Sequence, residues 1–191
     1  MSLSIAILYG SVRSERVGIR AARYLQHQIA ARGHTVTLVD PEIYQLPLLD
    51  KMYKEFKGDA PDVMEKLATI YRAADAFVIV GGEYNNGIPP ALKNLLDHFL
   101  EEYFWRPSAI ACYSAGQFGG VRGAMQLRMT LGELGMPSIP SILPFPRVAS
   151  LVAEDGTVTD ERFAKSTTRF LDELEWYAKA LKAQRATGVP Y

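Results

Sequence analysis

Three stretches of this sequence gather residues that can hold an anion or a flat heterocycle. The first reads Gly10-Ser11-Val12-Arg13-Ser14-Glu15-Arg16-Val17-Gly18, after an apolar run and before a helical pattern. At such a junction, free backbone N–H groups and the positive end of a helix dipole receive a phosphate. Gly10 lets a ligand come close to the backbone. Ser11 and Ser14 offer hydroxyl donors, and Arg13 and Arg16 can make charge-assisted hydrogen bonds to phosphate oxygens. Taken alone, the segment also reads as an ordinary strand-to-helix connection whose polar residues face water.

The second stretch runs Gly81-Gly82-Glu83-Tyr84-Asn85-Asn86-Gly87-Ile88-Pro89-Pro90. Glycine, asparagine and proline make a turn whose backbone groups can point at a planar ring, with Tyr84 available against its face or edge. The third, Ser114-Ala115-Gly116-Gln117-Phe118-Gly119-Gly120, leaves a low wall with exposed amides. Each of these is also a plausible plain surface turn. What sets them apart is convergence, because the elements around them bring all three to one edge.

Those elements follow from periodicity. Short apolar runs at 3–8, 35–39, 76–80, 108–114 and 138–143 read as buried strands. Between them, Ala22, Leu25 and Ile29 share one helical face, as do Val63, Leu67, Ile70 and Ala74. Pro89 and Pro90 suit a helix opening, with Leu92, Leu95, Leu96 and Phe99 as its stripe. Ala124, Leu127, Leu131 and Leu134 form another, stopped by Gly135 and Pro137. Asp155-Gly156 marks a turn, and Asp160 caps a last helix carrying Phe163, Phe170, Leu174, Tyr177 and Leu181. Strict strand-helix alternation predicts an α/β fold with a parallel sheet and helices on both faces. Ligands of such sheets sit beyond the carboxyl ends of the strands where the strand order reverses, which is where the three loops emerge.

The chain of 191 residues, 48% of them hydrophobic, fits one domain over 1–186 with a loose tail at 187–191. Its 21 basic and 21 acidic residues cancel, so no long-range field draws it to nucleic acid or an anionic membrane. No apolar run approaches the ~20 residues that span a bilayer, and the N-terminus lacks an export pattern. The only cysteine, Cys112, cannot form an internal disulfide, which fits a reducing, cytoplasmic setting.

Several chemistries are excluded. The first loop lacks Gly-x-Gly-x-x-Gly and a Gly-Lys-Ser/Thr, so neither a dinucleotide fingerprint nor a triphosphate loop is present, and a mononucleotide phosphate fits better. Ser114 imitates a nucleophile elbow, yet His27, His34 and His98 all precede it and the glycine two before it is missing. The histidines lie far apart with no metal-ligand spacing, so no metal is expected.

With these residues in place, the chain resembles the NADPH-dependent FMN reductases of the flavodoxin-like superfamily, which include flavin, quinone and azo-compound reductases. The resemblance rests on Gly10-Ser11-x-Arg13, on Glu83-Tyr84-Asn85 followed by Pro89 and Leu92-Lys93-Asn94, and on Ser114-x-Gly116 with Gly119-Gly120. It implies a flavodoxin-like three-layer sandwich with strand order 2-1-3-4-5 and non-covalently held FMN. Ser11, Arg13 and the N–H groups of Arg16, Val17 and Gly18 would bind the phosphate. Glu83, Tyr84, Asn85, Asn86 and Gly87, with Ser114, Ala115, Gly116 and Gly119, would line the rest of the cofactor. Two departures stand out: many members have a hydroxyl residue at the position of Arg16 and proline at that of Gly82.

The same resemblance implies NADPH or NADH as donor, a small-molecule acceptor and a homodimer or homotetramer. The flavin carries the hydride at N5, and no side-chain acid or base is required. Phe99, Tyr103, Phe104 and Trp105 then read either as core at a helix end or as a subunit interface. A flavodoxin-type electron carrier or flavin-binding sensor is the competing class. Such carriers usually have a hydroxyl-rich loop without arginine and an acidic surface, and this chain has neither.

Overall fold

The computed structural model describes residues 2–191. Five parallel strands, β1 Ser4–Tyr9, β2 Thr35–Val39, β3 Ala76–Gly81, β4 Ser108–Tyr113 and β5 Ser138–Phe145, form one sheet in the order β2-β1-β3-β4-β5. This is the flavodoxin-like arrangement expected from the sequence. The central strand β3 is buried along its whole length, which is why its sequence is a continuous apolar run rather than an alternation. At the edge, β5 extends two residues beyond the predicted end and tolerates Pro140 and Pro144, since an edge strand has one unpaired side.

The helices are α1 Ile19–Ala31, α2 Asp62–Ala73, α3 Pro90–Asp97, α4 Val121–Glu133, a short α5 Val148–Leu151 and α6 Glu161–Arg185. Because side chains alternate across a strand, the sheet feeds two cores. On one face Ile5, Ile7 and Val78 meet Leu25 and Ile29 of α1 and Phe170 and Leu174 of α6. On the other, Leu8, Phe77 and Ile79 meet Leu67 of α2, Leu95 of α3 and Leu131 of α4. The predicted helical stripes face the sheet except at Leu181, which lies outside both cores, while Leu171 and Ala178 complete the buried face of α6. Ala74, Phe99 and Leu134 fall just past their helices, as caps or first loop residues, and are buried there.

The aromatic cluster divides. Phe99 and Tyr103 are core: Phe99 packs edge-on against Tyr71 and Tyr103 edge-on against Phe77, with Tyr103 also tilted against Tyr71, all at 4.9 to 5.3 Å between ring centroids. Phe104 and Trp105 are half-buried and carry Tyr191 against them. Asp160 caps α6 as predicted, accepting hydrogen bonds from the N–H groups of Arg162 and Phe163 at 2.8 and 2.9 Å. The segment 41–61, which shows no clear period, lies over the α2–α3 side with one 3-10 turn, Tyr53–Phe56. Among the described residues no helix is long and apolar enough to cross a membrane.

The two helices of the first face are pinned to each other by charge. Arg32 at the end of α1 donates to Glu175 of α6 at 2.7 Å, and Lys179 and His34 approach the same carboxylate at 3.0 and 3.2 Å. Burial disfavours the Glu175 carboxylate, but these donors outweigh it and hold its pKa at about 2. The folded value lies below the usual one, so the stabilisation is complete above about pH 4.5 and is lost as pH falls toward 2. Glu175→Gln should lower the urea midpoint near neutral pH, and its deficit against the parent should shrink as the titration is repeated from about pH 5 down to about pH 2. A constant deficit across that range would mean the carboxylate's charge contributes nothing.

Candidate functional site

The strand order reverses between β1 and β3: β1 connects outward to β2, while β3 begins the run to β4 and β5. The loops leaving β1 and β3 therefore part, and the cleft between them is bordered by the loop after β4. All three stretches singled out in the sequence meet at this end of the sheet.

In the first loop Gly10 donates to the Val80 carbonyl at 3.1 Å, fastening the loop to β3. A Cβ at Gly10 would fall 2.5 Å from Leu92, so glycine is needed for α3 to pack there. Ser11 is buried, and its hydroxyl accepts from the Arg13 N–H at 3.4 Å, curling the loop on itself. Arg16 and Arg13 take different roles. The Arg16 guanidinium pairs with Asp40 and with Glu42 beyond β2, and also donates to the Ser11 carbonyl at 3.4 Å. Its side chain is thus spent on tying the loop to β2, a role the sequence reading did not foresee because Asp40 had no assigned partner. Arg13 is exposed, and among the described residues no carboxylate pairs with it. It is the loop's available cation. Backbone N–H groups at Ser14, Glu15, Arg16 and Gly18 have no acceptor among the described residues, whereas Val17 donates to Glu15.

The second loop is a two-residue hairpin. Tyr84 and Gly87 exchange backbone hydrogen bonds of 3.1 and 2.8 Å, and Asn85 and Asn86 between them have φ of 51° and 65°. Positive φ at both central residues is the type I′ turn, for which asparagine is well suited. Tyr84, Asn85 and Asn86 are exposed on this tip. Glu83 points the other way: its carboxylate accepts from the N–H groups of Arg122 and Gly123 at 2.9 and 3.0 Å, at the first turn of α4. The side chain therefore caps α4 and locks the second loop to the third, with the helix dipole favouring its charge. Lys93 pairs with Asp97, and Asn94 holds the 47–49 segment through the Pro47 carbonyl and the Leu49 N–H, at 2.8 and 2.9 Å. Both residues thus act on the scaffold.

In the third loop the Ser114 hydroxyl donates to the Gly116 carbonyl at 3.0 Å, and Arg147 N–H reaches the same carbonyl at 2.9 Å. Gly119 and Gly120 have φ of 61° and 83°, and a Cβ at Gly120 would meet Tyr113 backbone at 2.7 Å. Glycine is required there by conformation and by space. The N–H groups of residues 115–120 have no acceptor among the described residues, and Gly116 has open space around it. Cys112 beneath the loop is buried, and burial together with the nearby Glu83 charge pushes its thiol up to about 12, so it stays protonated.

The residue that sequence reasoning missed is Tyr113. It ends β4 and was absorbed into an apolar strand, so only its being aromatic at the carboxyl end of a strand could have marked it. The segment 41–50 was missed as well. Tyr44, Leu46 and Leu48 join Val12, Ala91 and Leu95 around an apolar cleft of about 270 Å³ beside the first loop.

Among the described residues, the first and third loops thus present N–H groups without acceptors, and Arg13 adds a guanidinium without a carboxylate partner. That donor set suits a phosphorylated planar ligand with little need for a catalytic side chain. A profile of the family described as NADPH-dependent FMN reductase matches residues 3–149. The chain is similar to a quinone reductase of Pseudomonas putida, 27% identical over 186 residues, covering 94% of this chain and 97% of the relative. It is also similar to a quinone reductase of Escherichia coli, 34% identical over 133 residues, 68% of this chain and 69% of that one. Among solved structures, the flavoenzyme NAD(P)H:(acceptor) oxidoreductase FerB of Paracoccus denitrificans superposes with a TM-score of 0.77 at 24% identity, covering 93% of this chain and 98% of that one. A flavodoxin of Pseudomonas aeruginosa gives a TM-score of 0.51 at 23% identity, over 94% and 99% of the two chains. With most of its length matched by that profile and its three loops built as described, the chain belongs to the NADPH-dependent FMN reductase family.

Proposed function

We propose that this chain is an NAD(P)H-dependent oxidoreductase that holds FMN at the three loops and delivers electrons to a small acceptor, a quinone or flavin-like ring, at the same exposed face. The observation that carries this is the convergence of unpaired backbone N–H groups from the first and third loops with the uncommitted Arg13 at the strand-order reversal. An orphaned donor costs free energy unless a ligand or water accepts from it, so a row of them at one recess is a built anion and heterocycle cradle.

In this reading, the N–H groups at Arg16 and Gly18 and the guanidinium of Arg13 hold the phosphate, with Ser11 beneath. Tyr84 and the Asn85-Asn86 tip would stand on one side of the cofactor, and the N–H groups of residues 115–119 would offer it donors that favour negative charge. Glu83 acts at one remove, by holding the second loop against α4. FMN held there would supply the redox chemistry, two-electron exchange with a reduced nicotinamide and with the acceptor. The protein's part is to bind, orient and leave one face open. Because one open face serves donor and acceptor in turn, the kinetics are ping-pong. Assembly into a homodimer or homotetramer fits the exposed Phe118 of the third loop and the exposed Met125 and Met129 one turn apart on α4.

Arg13→Ala should weaken FMN binding by about 1.5 to 3 kcal/mol, the value of a hydrogen bond to a charged group, read by quenching of FMN fluorescence. Unchanged affinity would remove Arg13 from the phosphate site. Anaerobic NADPH should bleach the flavin of the loaded protein; binding without bleaching would instead indicate an electron carrier or sensor. With a quinone as acceptor, double-reciprocal plots at several fixed NADPH concentrations should be parallel, and intersecting lines would show that both substrates occupy the protein together.

A further inference from the structure

The wall between the first and second loops is made by Tyr113. Its ring leaves the end of β4 and crosses beneath both loops. A Cβ at Gly18 would lie 2.1 Å from Cζ of Tyr113, and one at Gly82 would lie 3.1 Å from the same atom. Neither position can carry a side chain without moving the ring. The ring also stacks on Tyr9 of β1, with centroids 6.2 Å apart and planes inclined by 27°. At Gly82, where the family resemblance leads one to expect proline, even a Cβ would press on the phenol.

The hydroxyl end lies between the two loops: its oxygen is 3.2 Å from a Cβ placed at Gly82, and the carbon that bears it is 2.1 Å from one placed at Gly18. Burial raises the pKa of the Tyr113 phenol, and the neighbouring Tyr9 and Ser11 hydroxyls and the Arg13 guanidinium offset part of the rise. Tyr9 is fully buried and Ser11 nearly so, whereas part of Tyr113 reaches solvent. Of the three hydroxyl-bearing residues, Tyr113 is therefore the one that is not closed off from solvent. A neutral hydroxyl donating to a phosphate makes a charge-assisted hydrogen bond, stronger than the same bond to a neutral acceptor.

Resting on the cofactor reading above, we propose that Tyr113 is a positioning residue for the cofactor. Its ring sets the gap between the first and second loops, and its hydroxyl stands with Ser11 in holding the phosphate.

The test compares FMN with riboflavin, which lacks the phosphate, by fluorescence titration of the parent chain, Tyr113→Phe and Tyr113→Ala. Tyr113→Phe keeps the ring and its packing. It should lower FMN affinity about tenfold and leave riboflavin affinity unchanged. Tyr113→Ala removes the wedge and should weaken both ligands. A purely structural tyrosine would not alter the ratio of FMN to riboflavin affinity in Tyr113→Phe, so an unchanged ratio overturns the inference. Undiminished riboflavin affinity in a folded Tyr113→Ala overturns it too. If the parent chain binds neither ligand, the cofactor reading fails and this inference falls with it; if the parent binds FMN and Tyr113→Phe binds it equally well, only this inference falls.

Discussion

Backbone donors without internal acceptors are the constraint around which this molecule is organised. A parallel sheet satisfies its own N–H and C=O groups along the strands, but where strands end and helices begin the ladder stops and the donors are stranded. Here the strand order reverses between β1 and β3, so the stranded groups are not covered by a crossing connection. The fold concentrates unpaired donors where a ligand can reach them. The remaining features of the site keep the loops that carry those donors from collapsing onto one another. Arg16 is stretched to Asp40 and Glu42, Glu83 reaches to the first turn of α4, and Arg147 reaches to the Gly116 carbonyl.

These ties also explain why the charged residues nearest the site are mostly unavailable to a ligand. Arg16, Glu83 and Lys93 each have a partner within the protein, and each fixes one loop or helix. Arg13 alone of the group projects without a carboxylate partner among the described residues. A site built this way puts its specificity in backbone geometry and uses side chains chiefly as struts. That is consistent with a cofactor whose own ring does the chemistry.

Much of this was legible in the sequence because it depends on local rules. The buried strands announce themselves as apolar runs, the helices by their stripes, Asp160 by its capping position and the Asn85-Asn86 turn by its composition. Strand ends shifted by one or two residues, since pairing with the neighbouring strand sets them rather than the apolar run: Pro144 interrupts the run, yet β5 pairs with β4 as far as Phe145. What could not be read was pairing at a distance. Nothing in the spacing of Arg16 and Asp40, 24 residues apart, says that they meet. Tyr113 was hidden for a related reason: it lies inside an apolar strand pattern, and its role arises only where Gly18 and Gly82 come together in space. The segment 41–50 lacks any period because it is held by contacts to Asn94 rather than by a repeating face.

The burial of Cys112 bears on how such a protein ages. A molecule that hands electrons to small acceptors works in the company of oxidants, and thiolates are the first side chains those attack. This chain's single thiol is sealed under the third loop and held in its protonated form, out of reach of peroxide and of mixed-disulfide exchange. The exposed thioethers of the single chain are instead those of Met125 and Met129, 49% and 72% exposed on α4, until assembly covers them. Sulfoxidation there would turn an apolar stripe polar, a change that repair enzymes reverse.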